Sequence, residues 1–174
     1  NASISSARPL VRRRGNERDG GKGSTAAGRG RPPQRNGTGY VAPSDKLTLG
    51  YIGCGTQGMR EMTGLIANPA LQIVAVADPN KFTTDYVDWS LNDVRNYIRN
   101  ALGDKSWGEN FKGIPGGRDI GQEFINKYYA KSKDSASYKG CSSYVDFREL
   151  LEKEKDIDAI KIMTPDHLHA TVAI

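Results

Sequence analysis

The sequence predicts an α/β fold over residues 46–174, a parallel sheet with flanking helices, behind a disordered, basic N-terminal tail over residues 1–45. Three observations carry this. Short apolar runs alternate with amphipathic stretches from Leu47 onward. A glycine-rich turn, Gly53–Gly58, separates the first run from the first stretch. The first 45 residues are rich in Gly, Arg, Ser, Pro and Asn and hold almost no large apolar side chains. Such a segment buries too little apolar surface to offset the entropy of ordering it. About 130 residues then remain to build a modest core.

The elements follow in order. Leu47–Ile52 reads as a buried strand running into the glycine cluster. Met59, Met62, Leu65 and Ile66 recur at helical spacing, and Asn68-Pro69 closes that helix. Leu71–Ala77 is a second apolar run rich in β-branched residues, closed by the turn Asp78-Pro79-Asn80. Together these make a βαβ unit of ordinary size.

Residues 81–141 read as a long polar insert of helical character. Leu91, Val94, Ile98 and Leu102 mark one amphipathic helix with Gly103 as its cap, residues 108–121 read as a loop, and Phe124, Ile125, Tyr128 and Tyr129 mark a second helix. Alternation then resumes. Ser142–Val145 reads as a strand, and Asp146 caps a helix with Glu149 at the capping-box position and Phe147, Leu150 and Leu151 on one face. Asp158–Met163 is a further strand. Asp166 is expected to cap a helix starting at His167, which is still running at Ile174. The chain therefore reads as a fragment, inactive by itself.

The chemistry centres on Gly53-Cys54-Gly55-Thr56-Gln57-Gly58. A lone GxGxxG string is weak evidence, but this one follows a strand, opens a helix and lies in a βαβ unit. That context is Rossmann-type. Gly53 permits the tight turn, Gly55 lets the backbone approach a pyrophosphate, and Gly58 lets helix and strand pack closely. Phosphate oxygens then meet free N–H groups at the positive end of the helix dipole. Asp78 lies 20 residues beyond Gly58. A carboxylate at the end of the second strand binds ribose hydroxyls and repels a 2′-phosphate, which favours NAD over NADP. Lys81 nearby works against that repulsion, and the plain alternative is that Asp78-Pro79-Asn80 is only a good turn.

Other classes are weaker. The tail carries a net charge of +6 and the rest −1. Nucleic acid is not the expected partner, because no aromatic is interleaved with the tail arginines for base stacking. Cys54 and Cys141 make neither a disulfide framework nor a metal set. His167 and His169 diverge by roughly 200° on a helix, so no metal is expected. There is no transmembrane run and no signal-peptide core. A basic spacer ahead of a folded domain fits export to the periplasm after removal of a leader, with a cytoplasmic home as the alternative.

The succession Gly53–Gly58, Val76–Asn80, Tyr144–Leu151 and Asp158–Ala170 resembles the glucose–fructose oxidoreductase/inositol dehydrogenase (Gfo/Idh/MocA) family, over about residues 46–80 and 142–174. The resemblance implies a two-domain oxidoreductase transferring hydride between NAD and a sugar, polyol or related carbohydrate, with the C-terminal substrate domain absent from these 174 residues. It implies that Thr164 and Pro165 lie along the nicotinamide and that His169 belongs to the same edge. Asn80 falls within the matched cofactor motif. The catalytic lysine it implies would lie beyond Ile174, so the catalytic residues are unknown. A homo-oligomer is expected. The insert at 81–141 departs from the family pattern. Two other functions stay open: a glycosidase or epimerase that retains its NAD, and a non-catalytic nucleotide-binding subunit.

Overall fold

The computed structural model describes residues 45–87, 90, 92–131 and 138–174. The tail reading for residues 1–44, and the part assigned to Leu91, lie outside them.

Strand β1 (Leu47–Ile52) leads through the glycine turn into helix α1 (Thr56–Leu65) and on to strand β2 (Leu71–Ala77). β1 and β2 pair in parallel, as a strand pair joined by a crossover helix does. Their register slips between Leu49 and Gly50, leaving Val74 without a partner. This bulge reverses the alternation of β2, so Ile73 and Val76 face one core while Ala75 and Ala77 face another. Strand β5 (Ser142–Tyr144) adds in parallel to β2, and strand β6 (Ala159–Ile162) in parallel to β1. The sheet order is β5-β2-β1-β6. The fold is a Rossmann-like α/β sheet flanked by helices. Its connection reverses direction between β1 and β6, and such a switch point opens a crevice at the strands' carboxyl ends.

The two sheet faces bury separate clusters. On one face Tyr51 and Ile73 meet Met59 and Met62 of α1, Val94 and Ile98 of helix α2 (Asp93–Leu102), and Phe124 and Ile125 of helix α3 (Arg118–Ala130). On the other, Ala75, Ala77 and Ile52 meet Leu150 of helix α4 (Phe147–Lys153) and Val172 of helix α5 (Asp166–Ala173). Burial of each large aliphatic or aromatic side chain contributes about 1.5–3 kcal/mol.

The insert differs from its reading as two helices and a loop. It also holds an antiparallel ribbon, strand β3 (Thr83–Tyr86) paired with strand β4 (Ile114–Gly116). Pro115 and Gly116 made the second strand look like a loop. Gly116 is small because the Tyr86 ring lies across it, with a Cβ there falling 2.3 Å from Tyr86 Cε2. α3 likewise starts at Arg118, inside the stretch read as loop.

Three helix-end readings can be compared with the backbone. Gly103 does cap α2, with φ 60° and its N–H on the Arg99 and Asn100 carbonyls. Asp146 caps α4 by accepting from the Arg148 N–H at 2.8 Å. The reciprocal half of the box is not formed, since Glu149 pairs with Lys153 at 3.6 Å. Leu151 leaves the face of Leu150 and is 44% exposed. Asp166 is not a cap: α5 begins at Asp166 itself, Pro165 takes the cap position, and no side chain caps the turn. Pro165 fixes an extended entry at φ −55° and ψ 148°, which leaves Asp166 free to join the first turn as an acid near the positive helix end.

Candidate functional site at the sheet switch point

The glycine turn is built from constraints that only glycine meets. Gly53 has φ +97°, and a Cβ there would lie 2.6 Å from the Met163 carbonyl oxygen and 3.2 Å from the Thr164 nitrogen. The loop after β1 is thus pressed against the loop after β6. A Cβ on Gly58 would lie 2.2 Å from the Gly53 carbonyl oxygen, so helix α1 starts directly on the turn. The buried Tyr51 hydroxyl donates to the Gly58 carbonyl at 2.7 Å and fixes that approach from below. Gly55 is the cap residue of α1, supplies no capping side chain, and is followed by no acid in the first turn. The amides of Thr56 and Gln57 therefore open a helix whose positive end is not neutralised from within.

Asp78 ties this turn to the end of β2. It is the one buried charged side chain among the described residues, at 7% exposure. One carboxylate oxygen accepts from the Cys54 N–H at 2.6 Å and the other from the Asn80 N–H at 2.8 Å. These charge-assisted bonds hold loop and turn in one shape. Each oxygen keeps a second lone pair for a hydroxyl donor.

Cys54 is held entirely by the protein. Its N–H goes to Asp78, and its carbonyl accepts from Gly117 at 2.9 Å. Its thiol packs on α3, where a Cβ on Gly121 would lie 2.8 Å from the sulfur. Burial pushes this thiol well above its ordinary range, with the Asp78 charge adding to the shift.

The insert closes over this junction, and nothing in the sequence pattern announced it. Arg118 donates from Nη1 to the Asp78 and Pro79 carbonyls at 3.2 and 3.1 Å. The backbone N–H groups of Arg118 and Asp119 donate to the Asn80 and Lys81 carbonyls, both at 3.0 Å. The Thr56 hydroxyl donates to the Val87 carbonyl at 3.1 Å. The Asn80 side chain lies beside the Tyr86 phenol. Burial raises that phenol, the Asn80 contact offsets part of the shift, and the Asp78 charge adds to it.

Across the crevice, the Met163 N–H donates to the Ile52 carbonyl at 2.7 Å and sets the Thr164–Pro165 corner beside Gly53. The Thr164 hydroxyl oxygen is buried and has no hydrogen-bond partner within the protein. His169 has an orienting contact that sequence reasoning did not find: its Nε2 lies 2.7 Å from the Thr164 carbonyl oxygen. His167 is exposed on the same helix.

Gly53, Cys54, Gly58, Asp78, Asn80, Thr164 and His169 are thus linked in one chain of contacts along the strands' carboxyl ends. Thr56 and Gln57 stand at its helical end, with the Gln57 side chain directed along α1 to Arg60 and Glu61. The arrangement can receive an anion at the start of α1 and hydroxyl donors near Asp78. No family model, curated protein or solved structure matches the chain.

Proposed function

We propose that the chain is the cofactor-binding region of a NAD-dependent oxidoreductase that acts on a sugar, polyol or related carbohydrate by hydride transfer. The observation that carries the reading is the junction of the uncapped α1 turn with the buried Asp78, at the switch point of a parallel sheet. Three features fit a dinucleotide. Gly55 has no side chain, so the loop backbone is approached only by the Tyr86 ring, 3.6 Å from where a Cβ on Gly55 would stand. Asp78 retains lone pairs for ribose hydroxyls and carries the charge that disfavours a 2′-phosphate. The Thr164 hydroxyl is buried without a partner where the nicotinamide end would lie.

In this reading the amides of Thr56 and Gln57 bind the pyrophosphate, and Asp78 with Asn80 orients the adenosine ribose. Thr164 and Pro165 wall the nicotinamide, and His169 holds that corner through the Thr164 carbonyl. Bound there, the dinucleotide supplies a hydride acceptor. The carbohydrate class rests on the motif resemblance of residues 142–174, not on a pocket.

The test is titration of this chain with NAD and NADP, followed by incubation of the longer protein that carries the expected lysine with NAD and a panel of sugars and polyols. Saturable NAD binding tighter than NADP, with NADH accumulating on one substrate class, is the expected result. Product formed without net NADH would favour the NAD-retaining glycosidase or epimerase. Absence of binding to either dinucleotide would refute the proposal.

A further inference from the structure

The insert places one aromatic side chain over the glycine turn, and its local structure is arranged to put it there. Tyr86 ends β3, and both Asp85 and Tyr86 pair with Ile114, so the strand bulges at this point. A bulge re-aims the side chain that follows it. Gly116 on the facing strand leaves room for the ring, since a Cβ there would lie 2.3 Å from Cε2 and 2.5 Å from Cδ2. The next residue is fixed to the start of α1 by the Thr56 hydroxyl on the Val87 carbonyl. As a result Tyr86 Cε1, Cζ and Oη lie 3.6, 3.6 and 3.8 Å from the point where a Cβ on Gly55 would stand.

That point matters because Gly55 is the residue whose missing side chain opens the loop to a pyrophosphate. The phenol end of Tyr86 borders the same space. The Asn80 side chain lies beside the same phenol. A phenolic hydroxyl can donate one hydrogen to an acceptor.

We infer that Tyr86 is a cofactor-binding residue supplied by the insert, its hydroxyl donating to the pyrophosphate beside Gly55. This rests on the dinucleotide reading of the glycine turn. It gives the insert a role in the site, as one wall of the phosphate groove.

The test compares wild-type protein with Tyr86→Phe, which keeps the ring against Gly116 and removes only the hydroxyl. NAD, ADP and adenosine are the probes, with dissociation constants measured by calorimetry and thermal midpoints recorded for both proteins. NAD and ADP should each bind the variant about tenfold more weakly, as for loss of a hydrogen bond to a charged group. Adenosine, which lacks phosphates, should bind both proteins alike, and the thermal midpoint should stay within about 2 °C. Equal NAD and ADP affinity in wild type and variant would overturn this inference while leaving the dinucleotide site standing. An equal loss for adenosine would also overturn it, because the hydroxyl would then serve the fold or the adenosine end. Failure of wild type to bind NAD, NADP or ADP would remove the underlying site and this inference with it.

Discussion

The two banks of the crevice are built differently. On the β1–β2 bank, loop, turn and insert are laced by the Asp78 carboxylate, by Gly117 on Cys54, and by Arg118 on the Asp78 and Pro79 carbonyls. Beneath them Tyr51, Met59 and Ile73 are fully buried. On the β6 bank, no residue of the strand is fully buried, and α5 buries only Val172 while Leu168 stays 40% exposed. The Thr164 corner is held chiefly by the Met163 amide, by contact with Gly53, and by His169. The difference teaches that one half of the proposed cofactor site is set by the fold itself. The other half depends on a few contacts across the crevice.

The comparison breaks most sharply at glycine. Gly58→Ala drives a Cβ into the Gly53 carbonyl, and Gly53→Ala adds a left-handed φ to a clash with Met163. Each should lower unfolding free energy by about 3 kcal/mol or more and abolish dinucleotide binding. Gly64 lies in the same helix with nothing within 4 Å of its Cβ position. Gly64→Ala should raise stability by about 0.5–1 kcal/mol, from helix propensity alone. Equal effects at Gly58 and Gly64 in urea unfolding would show that the tight contact does not hold in solution.

Asp78→Ala comes next. It strips the acceptor from two N–H groups and should cost about 2–3 kcal/mol. NAD should bind at least tenfold more weakly, with discrimination against NADP reduced. Unchanged affinity for both cofactors would separate Asp78 from the site.

The core beneath the first bank also sets a pH dependence. Burial raises the Cys141 thiol from 9.0 to about 12, and the Tyr129 phenol from 10.0 to about 12. Between those values the unfolded chain releases protons that the folded chain keeps, so the unfolded state is favoured as pH rises. Stability should be level up to about pH 8 and fall steadily from about pH 9 to 12. Chemical unfolding across that range checks it, and stability rising with pH would contradict the burial of these groups.

The smallest effect is expected on the second bank. His169→Ala removes one exposed hydrogen bond to Thr164 and should cost about 0.5–1 kcal/mol or less. A cofactor effect much larger than that would mean the imidazole does more than hold the corner.

Much of this architecture was legible in the sequence, for physical reasons. The β1–α1–β2 unit could be read because buried strands and an amphipathic helix leave periodic patterns, and because glycine at 53 and 58 answers local demands. Asp146 could be read because capping is a contact between neighbours in the chain. The ribbon could not. Ile114-Pro115-Gly116 has the composition of a loop, and its strand character depends on Tyr86, far away in sequence. Arg118 was invisible as a site residue for the same reason: its partners are carbonyls at 78 and 79. Asp166 misled because a short acid before an apolar stretch suits either the cap or the first turn, and Pro165 decided between them.

A dinucleotide phosphate on the glycine turn would cover the first amides of α1. Amide hydrogen exchange of the intact protein, with and without saturating NAD, reads that turn directly. Exchange at Gly55, Thr56 and Gln57 should slow at least about tenfold on binding, while the outer face of α4 is unaltered. NAD binding that leaves those three amides exchanging as before would contradict it.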